Sequence, residues 1–216
     1  MTDFAAARRM MVDGQVRTSD VTDLRLIAAM QEVPREHFVP AASTGLAYLD
    51  LDLPLGEGGR RLLKPMVLAK LIQAADLEPT ARVLDVGCAT GYAAAVLARI
   101  AGEVVALEQD PALARAATEA LRAVPNVSVV SGELKAGWPQ KAPYDLILLE
   151  GATEIVPQLL LRQLKDGGRL LCILGSGPGA KAVLYCRSGE DVGERPIFDA
   201  AAAVLPGFVK PPAFAF

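Results

Sequence analysis

From Ala81 onward, short apolar runs alternate with stretches whose apolar positions recur at helical spacing. Val83–Val86, Val104–Leu107, Val127–Val130, Leu146–Leu149 and Leu170–Leu174 read as strands. Ala93–Ile100 and Pro111–Ala123 read as helices between the first three. Short apolar strands alternating with helices predict βα units and a parallel sheet of the α/β class with both faces covered. Ahead of this core, residues 1 to about 76 read as helices and loops. Asp20 is expected to cap a helix through Gln31, with Val21, Leu24, Ile27 and Met30 on its apolar stripe. Pro34 and Pro40 break that pattern, the stretch Gly45–Gly59 is turn-rich, and Met66–Ala75 forms a second helix behind Pro65, a residue tolerated at a first helical position. Past the core, Val183–Cys186 is expected as an added strand and Pro206–Phe216 as irregular coil. The division is therefore a single domain: an extension over 1–76, an α/β core over 80–175, and a strand and tail over 176–216.

Composition narrows the function classes. The 216 residues carry 22 Lys and Arg against 25 Asp and Glu, a net charge of −3, with 52% hydrophobic residues. Such a chain buries a large core and is not disordered. Its mild acidic excess argues against a dedicated nucleic-acid binder. Cys88, Cys172 and Cys186 are far apart and form no C-x-x-C pair, so neither a disulfide framework nor a zinc cluster is expected. His37 is the only histidine, which leaves no His-based metal site and no Ser-His-Asp triad without it. Arg8 and Arg9 lead into Met10, Met11 and Val12 and then Asp13, too short for a signal-peptide apolar region. No run approaches the roughly 18 apolar residues of a membrane span. The expectation is a cytoplasmic protein without membrane partners.

The chemistry concentrates in Val83-Leu84-Asp85-Val86-Gly87-Cys88-Ala89-Thr90-Gly91-Tyr92. A strand running into a glycine turn and then a helix puts a ligand at the carboxyl edge of the sheet, and the glycines let the backbone come close to it. Glu108, 17 positions after Gly91, ends the next strand, where a carboxylate can accept from both hydroxyls of a ribose. The dinucleotide fingerprint G-x-G-x-x-G/A fails at Ala89 and Tyr92, which weakens a nicotinamide oxidoreductase reading. The S-adenosylmethionine pattern, acid-x-G-x-G-x-G, matches Asp85, Gly87 and Gly91 and departs only at Ala89. Cys88, Ala89 and Gln109 flank these positions and join the expected cofactor set. Glu133, after the third strand, stands where such folds place an acid near the adenine amino group; a solvated loop glutamate accounts for it equally well.

Together these segments resemble the protein-L-isoaspartate O-methyltransferase family. Gln31-Glu32-Val33-Pro34-Arg35-Glu36-His37-Phe38-Val39-Pro40 is similar to its "VPRE-x-FVP" signature, and Ala47-Tyr48, Asp50 and Leu53–Gly58 to its "AY-x-D…LPIG-x-G" stretch. Gly87–Ala98 is similar to its "GTGSGYQAAVLA" turn, and Ala142–Asp145 and Gln163–Leu170 to its later blocks. The resemblance implies a Rossmann-like, seven-stranded methyltransferase sheet with helices on both faces and an N-terminal helical extension. It also implies methyl transfer from S-adenosylmethionine to the carboxylate of an isoaspartyl residue in a damaged protein, a repair step, by a monomer or homodimer. Carried over, Gly87, Gly91 and Glu108 would hold the cofactor, with Glu133 near adenine.

The acceptor half departs from the family. Where the family has "QTISQP", with a serine assigned to the active site, this chain has Gly59-Arg60-Arg61-Leu62-Leu63-Lys64-Pro65. Leu62 or Leu63, depending on the direction of counting, replaces the serine. Glu150-Gly151 stand where the family often has Thr-Ala, and Leu134 replaces a family glycine. Arg60, Arg61 and Lys64 could pair with an acceptor carboxylate in the serine's stead, Arg bidentately; a solvated loop face is the rival account. The alternative function is an S-adenosylmethionine-binding relative that methylates no isoaspartate or a different acceptor. RNA methylation suits the fold but not the acidic balance.

Overall fold

The computed structural model describes residues 3–56 and 58–211. Helix α1 (Phe4–Met11) runs through a π-helical turn at Val12–Val16, and α2 spans Leu24–Glu32. Its cap is Asp23, whose carboxylate accepts from the amides of Arg25 and Leu26, and not Asp20, which sits at φ 63° and closes the preceding turn. The turn-rich stretch contains a small hairpin, β1 (Leu53–Pro54) paired with β2 (Arg61–Leu62), followed directly by α3 (Pro65–Ala75).

The core then follows as predicted: β3 (Arg82–Val86), α4 (Tyr92–Leu97), β4 (Glu103–Glu108), α5 (Pro111–Leu121), β5 (Val127–Ser131), β6 (Tyr144–Thr153), α6 (Gln158–Leu161) and β7 (Leu164–Leu174). Two further strands, β8 (Lys181–Ser188) and β9 (Asp191–Asp199), complete a seven-stranded sheet in the order β5-β4-β3-β6-β7-β8-β9. The pairings from β5 through β7 are parallel, and β8 and β9 join antiparallel. The apolar pattern does not announce β9, because its residues are mostly exposed and charged on an outer edge, where no buried face imposes a periodicity.

Side chains alternate across this sheet and feed two cores. Val83, Val104, Ala106, Leu146 and Leu148 face α3, α4, α5 and the N-terminal extension. Leu84, Val86, Val105, Leu107, Ile147 and Leu149 face the other way, against α6, Leu134 and the C-terminal segment with Leu205 and Phe208. The described part of the expected tail, 206–211, is irregular, and the remainder of Pro206–Phe216 lies outside the described residues.

This tail decides the shape of the site. Strand order reverses at β3, so past Val86 β6 runs on without β3 while still paired with β7, and a crevice opens there, the usual ligand position in such a sheet. The chain returns there after β9. Ala152 N–H donates to Ala203 O at 2.9 Å, Leu205 N–H to Ala152 O at 2.8 Å, and Glu154 N–H to Phe208 O at 2.9 Å. Val204 thereby forms a parallel bridge with Ala152 in the crevice itself.

Candidate active site

The glycine turn is built by hydrogen bonds to the neighbouring strand. Gly87 and Cys88 donate their amides to Leu107 O of β4 at 2.8 and 3.1 Å, which ends β3 and turns the chain outward. Gly91 starts α4 at φ 94°, and a Cβ there would lie 2.6 Å from Leu121 Cδ1, so only glycine fits. Ala89 also takes the left-handed conformation, φ 53°, at a cost of about 1–2 kcal/mol for a side chain with Cβ. That is the position where the cofactor pattern carries glycine. In exchange, Ala89 N–H points at Glu108 Oε2, 2.8 Å away.

Glu108 is fully buried at the tip of β4 and accepts five hydrogen bonds. Three come from the amides of Ala89, Gln109 and Asp110. The other two come from Nη1 of Arg60, at 2.7 Å to Oε1 and 2.9 Å to Oε2, while Nη2 of the same guanidinium donates to Gly87 O at 2.7 Å. Arg60 is itself only 5% exposed. It therefore reaches inward from the hairpin to the carboxylate at the crevice, which corrects the expectation that it is offered to an acceptor.

Leu205 occupies the space beside it. A Cβ on Gly87 would meet Arg60 Nη2 at 3.0 Å and Leu205 Cδ2 at 3.2 Å, and one on Gly151 would meet Leu205 Cγ at 2.7 Å. Gly151 is thus small because the tail lies on it. Next to this plug a cavity of about 380 Å³ remains open, lined by Gln109, Gly132, Glu133, Lys135, Pro206 and Gly207. Gln109 and Glu133 are exposed at its rim, so the structure brings both of these expected residues to one opening.

A model of the protein-L-isoaspartate(D-aspartate) O-methyltransferase family matches residues 7–194. The chain belongs to this family. It is 43% identical over 185 residues to protein-L-isoaspartate O-methyltransferase 1 of Rhodopseudomonas palustris, covering 85% of this chain and 75% of that one. A Methylorubrum extorquens protein-L-isoaspartate O-methyltransferase is likewise 43% identical, over 88% of this chain and 83% of that one. Among solved structures, a protein-L-isoaspartate O-methyltransferase superposes with a TM-score of 0.82 at 24% identity, over 93% of this chain and 66% of the other. A Plasmodium falciparum protein of that type, in complex with S-adenosyl-L-homocysteine, gives 0.76 at 17% identity, over 92% and 97% of the two chains. At these identities the two structures speak for the fold.

Knowing the family, the acceptor half can be placed. Leu62 and Leu63, at the serine's position, are buried in the core shared with α3. Arg61 is exposed and donates to Asp52 O at 3.2 Å; Lys64 is half-buried at the N-terminus of α3, its amide held by Asp52 Oδ1 at 2.8 Å. The family block Arg35–Phe38 has a structural task that motif reading did not assign. Arg35, fully buried, donates to Ala47 O and Leu63 O, each at 2.8 Å, and lies 4.7 Å over the ring of Tyr92. Phe38 packs edge-on against the same ring at 5.6 Å, and Thr90 Oγ1 donates to Phe38 O at 2.6 Å. Tyr92 is large because it is the anvil on which the extension is fastened to the glycine turn.

Beneath the turn lie two buried carboxyl groups. Asp85 and Glu150 are adjacent, on the face of β3 and β6 that looks toward α4, and among the described residues neither meets an N–H or hydroxyl donor. Burial pushes Asp85 up to about 7, and burial with the repulsion of Asp85 holds Glu150 well above the usual carboxylate range. Cys88 is buried beside them, its thiol raised by desolvation. Asp85 therefore sits behind the turn, with neither carboxyl oxygen bonded to it. Among the described residues no group of three or more His, Cys, Asp or Glu side chains could hold a metal ion, and no helix is long and apolar enough to cross a membrane.

The acceptors on this edge suit an adenosyl group. Glu108 can take two ribose hydroxyls, Gly87 O an ammonium, and the cavity at Gln109 and Glu133 a flat base. The volume does not suit it as the chain stands, since Arg60 and Leu205 fill the part between Glu108 and Gly151.

Proposed function

We propose that this chain is an S-adenosylmethionine-dependent carboxyl methyltransferase that acts on isoaspartyl residues of proteins, in keeping with its family. The observation that carries the reading is Glu108, buried at the end of β4 and held by the amides of Ala89, Gln109 and Asp110 beside a glycine turn. A carboxylate pre-oriented in this way needs no further ordering to bind a diol. Glu108, the backbone of Gly87–Gly91, Gln109 and Glu133 are the residues we assign to holding the cofactor, with Asp85 behind the turn. S-adenosylmethionine supplies, when bound, an electrophilic methyl on a sulfonium whose departure leaves a neutral thioether.

The demands on the protein's own side chains are modest. An isoaspartyl carboxylate, with a pKa of about 4, is ionised at neutral pH. No general base is required, and a chain with a single histidine is chemically sufficient. The protein must align the carboxylate and exclude water. Loss of the family serine to Leu62 or Leu63 removes one oriented donor, an effect of about two to three orders of magnitude where such donors have been deleted. We accordingly expect slow turnover. Arg61, exposed, and Lys64, half-buried at the start of α3, are cations beside the hairpin that can meet the acceptor carboxylate. The substrate is proposed to be a protein or peptide met in the cytoplasm by a monomer or homodimer, without nucleic acid or membrane.

The test pairs calorimetric titration of S-adenosylhomocysteine with methyl transfer to an isoaspartyl peptide and to its aspartyl twin. Turnover of the isoaspartyl form alone is expected. Binding without turnover of either peptide would replace this reading with that of a cofactor-binding relative.

A further inference from the structure

Arg60 makes the contacts that a cofactor in this crevice would need. Its guanidinium bridges both oxygens of Glu108 and the carbonyl of Gly87, three bonds of 2.7–2.9 Å made by one buried fork. The reason is electrostatic. The crevice is walled by Glu108, with Asp85 and Glu150 behind it, all three buried, and a buried carboxylate without a cation is costly. Among the described residues, Arg60 is the cation that reaches Glu108. Leu205 then covers the apolar remainder, lying on Gly87 and Gly151.

We propose that Arg60 and Leu205 form an internal occupant of the cofactor crevice, displaced together when the cofactor enters. The inference rests on the reading of this crevice as an S-adenosylmethionine site. Both parts lie outside the ladders of the seven-stranded sheet. Arg60 ends a hairpin turn that includes Gly56 and Gly59 at φ 85° and 72°, exposed and with open space where a side chain would be. Leu205 belongs to a segment joined to β6 by three backbone bonds at Ala152 and Glu154 and by the Lys210 amide on Glu154, not by a full ladder, and it is held in place by the burial of Leu205 and Phe208 in the second core. Displacement leaves Glu108 with its three amide donors, so the carboxylate is ready for a diol as soon as Arg60 withdraws. The apparent affinity of the chain is its intrinsic affinity reduced by the fraction of molecules that are open. The internal occupant is in this way a built-in competitor that sets how much cofactor the protein requires.

The experiment titrates S-adenosylhomocysteine into the full chain as wild type, Arg60→Gln and Leu205→Ala. Arg60→Gln loses the charge, the fork and the reach to Glu108, and is expected to bind at least tenfold more tightly; Leu205→Ala is expected to tighten binding by a smaller factor. Equal or weaker binding by Arg60→Gln, with the wild type binding, overturns the proposal and makes Arg60 part of the cofactor's own contacts, leaving the methyltransferase reading intact. Failure of all three proteins to bind overturns both. Tight binding without isoaspartyl turnover speaks against the acceptor assignment only. Hydrogen exchange on the wild type gives a readout independent of any variant. The amides of Ala152, Glu154 and Leu205 are expected to lose protection on saturation with S-adenosylhomocysteine, and retained protection there overturns the displacement of the tail.

Discussion

Replacing Glu150 with Gln is expected to stabilise the protein at pH 8 and to flatten its pH dependence. Among the described residues Asp85 and Glu150 have no donor but each other, and one proton held between them is the only way to join two carboxyl groups. In the unfolded chain both titrate near 4. In the folded chain burial raises Asp85 to about 7 and Glu150 also lies well above its ordinary value. Above pH 4 the unfolded state therefore binds fewer protons than the native state, and stability falls as pH rises toward 7 and beyond. A rise from 3.8 to about 7 in Asp85 alone corresponds to about 4 kcal/mol lost across that window, at 1.36 kcal/mol per unit. The amide introduced by Glu150→Gln would offer an N–H to Asp85 in nearly the same volume, removing one buried acid and satisfying the other. Urea denaturation at steps from pH 5 to 8 measures this. The window avoids the acid limb, where paired Glu103, Asp145 and Asp199, held below their ordinary values, lose their contribution as pH falls. The wild type is expected to lose a few kcal/mol from pH 5 to 8, and Glu150→Gln to be the more stable protein by about 2 kcal/mol at pH 8. A flat wild-type profile, or a variant less stable than wild type at pH 8, refutes the reasoning.

Gly91→Ala adds a Cβ 2.6 Å from Leu121 Cδ1 at φ 94°, and backbone strain with overpacking is expected to cost about 2–4 kcal/mol, read as a fall in Tm of roughly 5–15 °C. Arg35→Ala strips donors from the carbonyls of Ala47 and Leu63 and removes the cation from Tyr92, so chemical denaturation should show a loss of about 3–5 kcal/mol. Glu133→Ala, at an exposed residue on the rim of the open cavity, should leave Tm unchanged and raise the Kd for S-adenosylhomocysteine several-fold; an unchanged Kd would return Glu133 to the role of a solvated loop residue.

Five strands of the parallel core could be read from their mainly apolar runs, because the strands inside the sheet are buried on both faces and leave room for few polar residues, Asp85 among them. The glycine turn could be read because φ near 90° and a 2.6 Å approach leave no alternative to glycine at 91. Ala89 shows where the pattern is softer, since a single methyl at φ 53° costs little enough to be offset by the amide bond to Glu108. What escaped was set by partners distant in the chain. The β1–β2 hairpin, with two residues to a strand, is too short to show a period, and β9 lacks a buried face of its own to impose one. Arg35 serves a carbonyl 28 residues away, Leu63 O, and a ring belonging to the glycine turn, and no local spacing encodes such a contact.

The same limit explains the misplacement of Arg60. Three cations in Arg60–Lys64 beside a lost serine point outward, toward an acceptor, as long as Glu108 is regarded only as an acceptor awaiting a ribose. A buried carboxylate is not neutral ground while it waits. With its two oxygens at the end of a strand that is covered on both sides, it draws the nearest cation that the backbone can deliver, and the hairpin at Leu53–Leu62 delivers Arg60. Arg61, the next residue, alternates to the opposite side and stays exposed. One position along the chain, from Arg60 just before β2 to Arg61 within it, thus separates a residue buried against Glu108 from one on the exposed face. Any family member that keeps the acid after the second core strand and places an Arg at this point of the hairpin should hold its crevice shut in the same way.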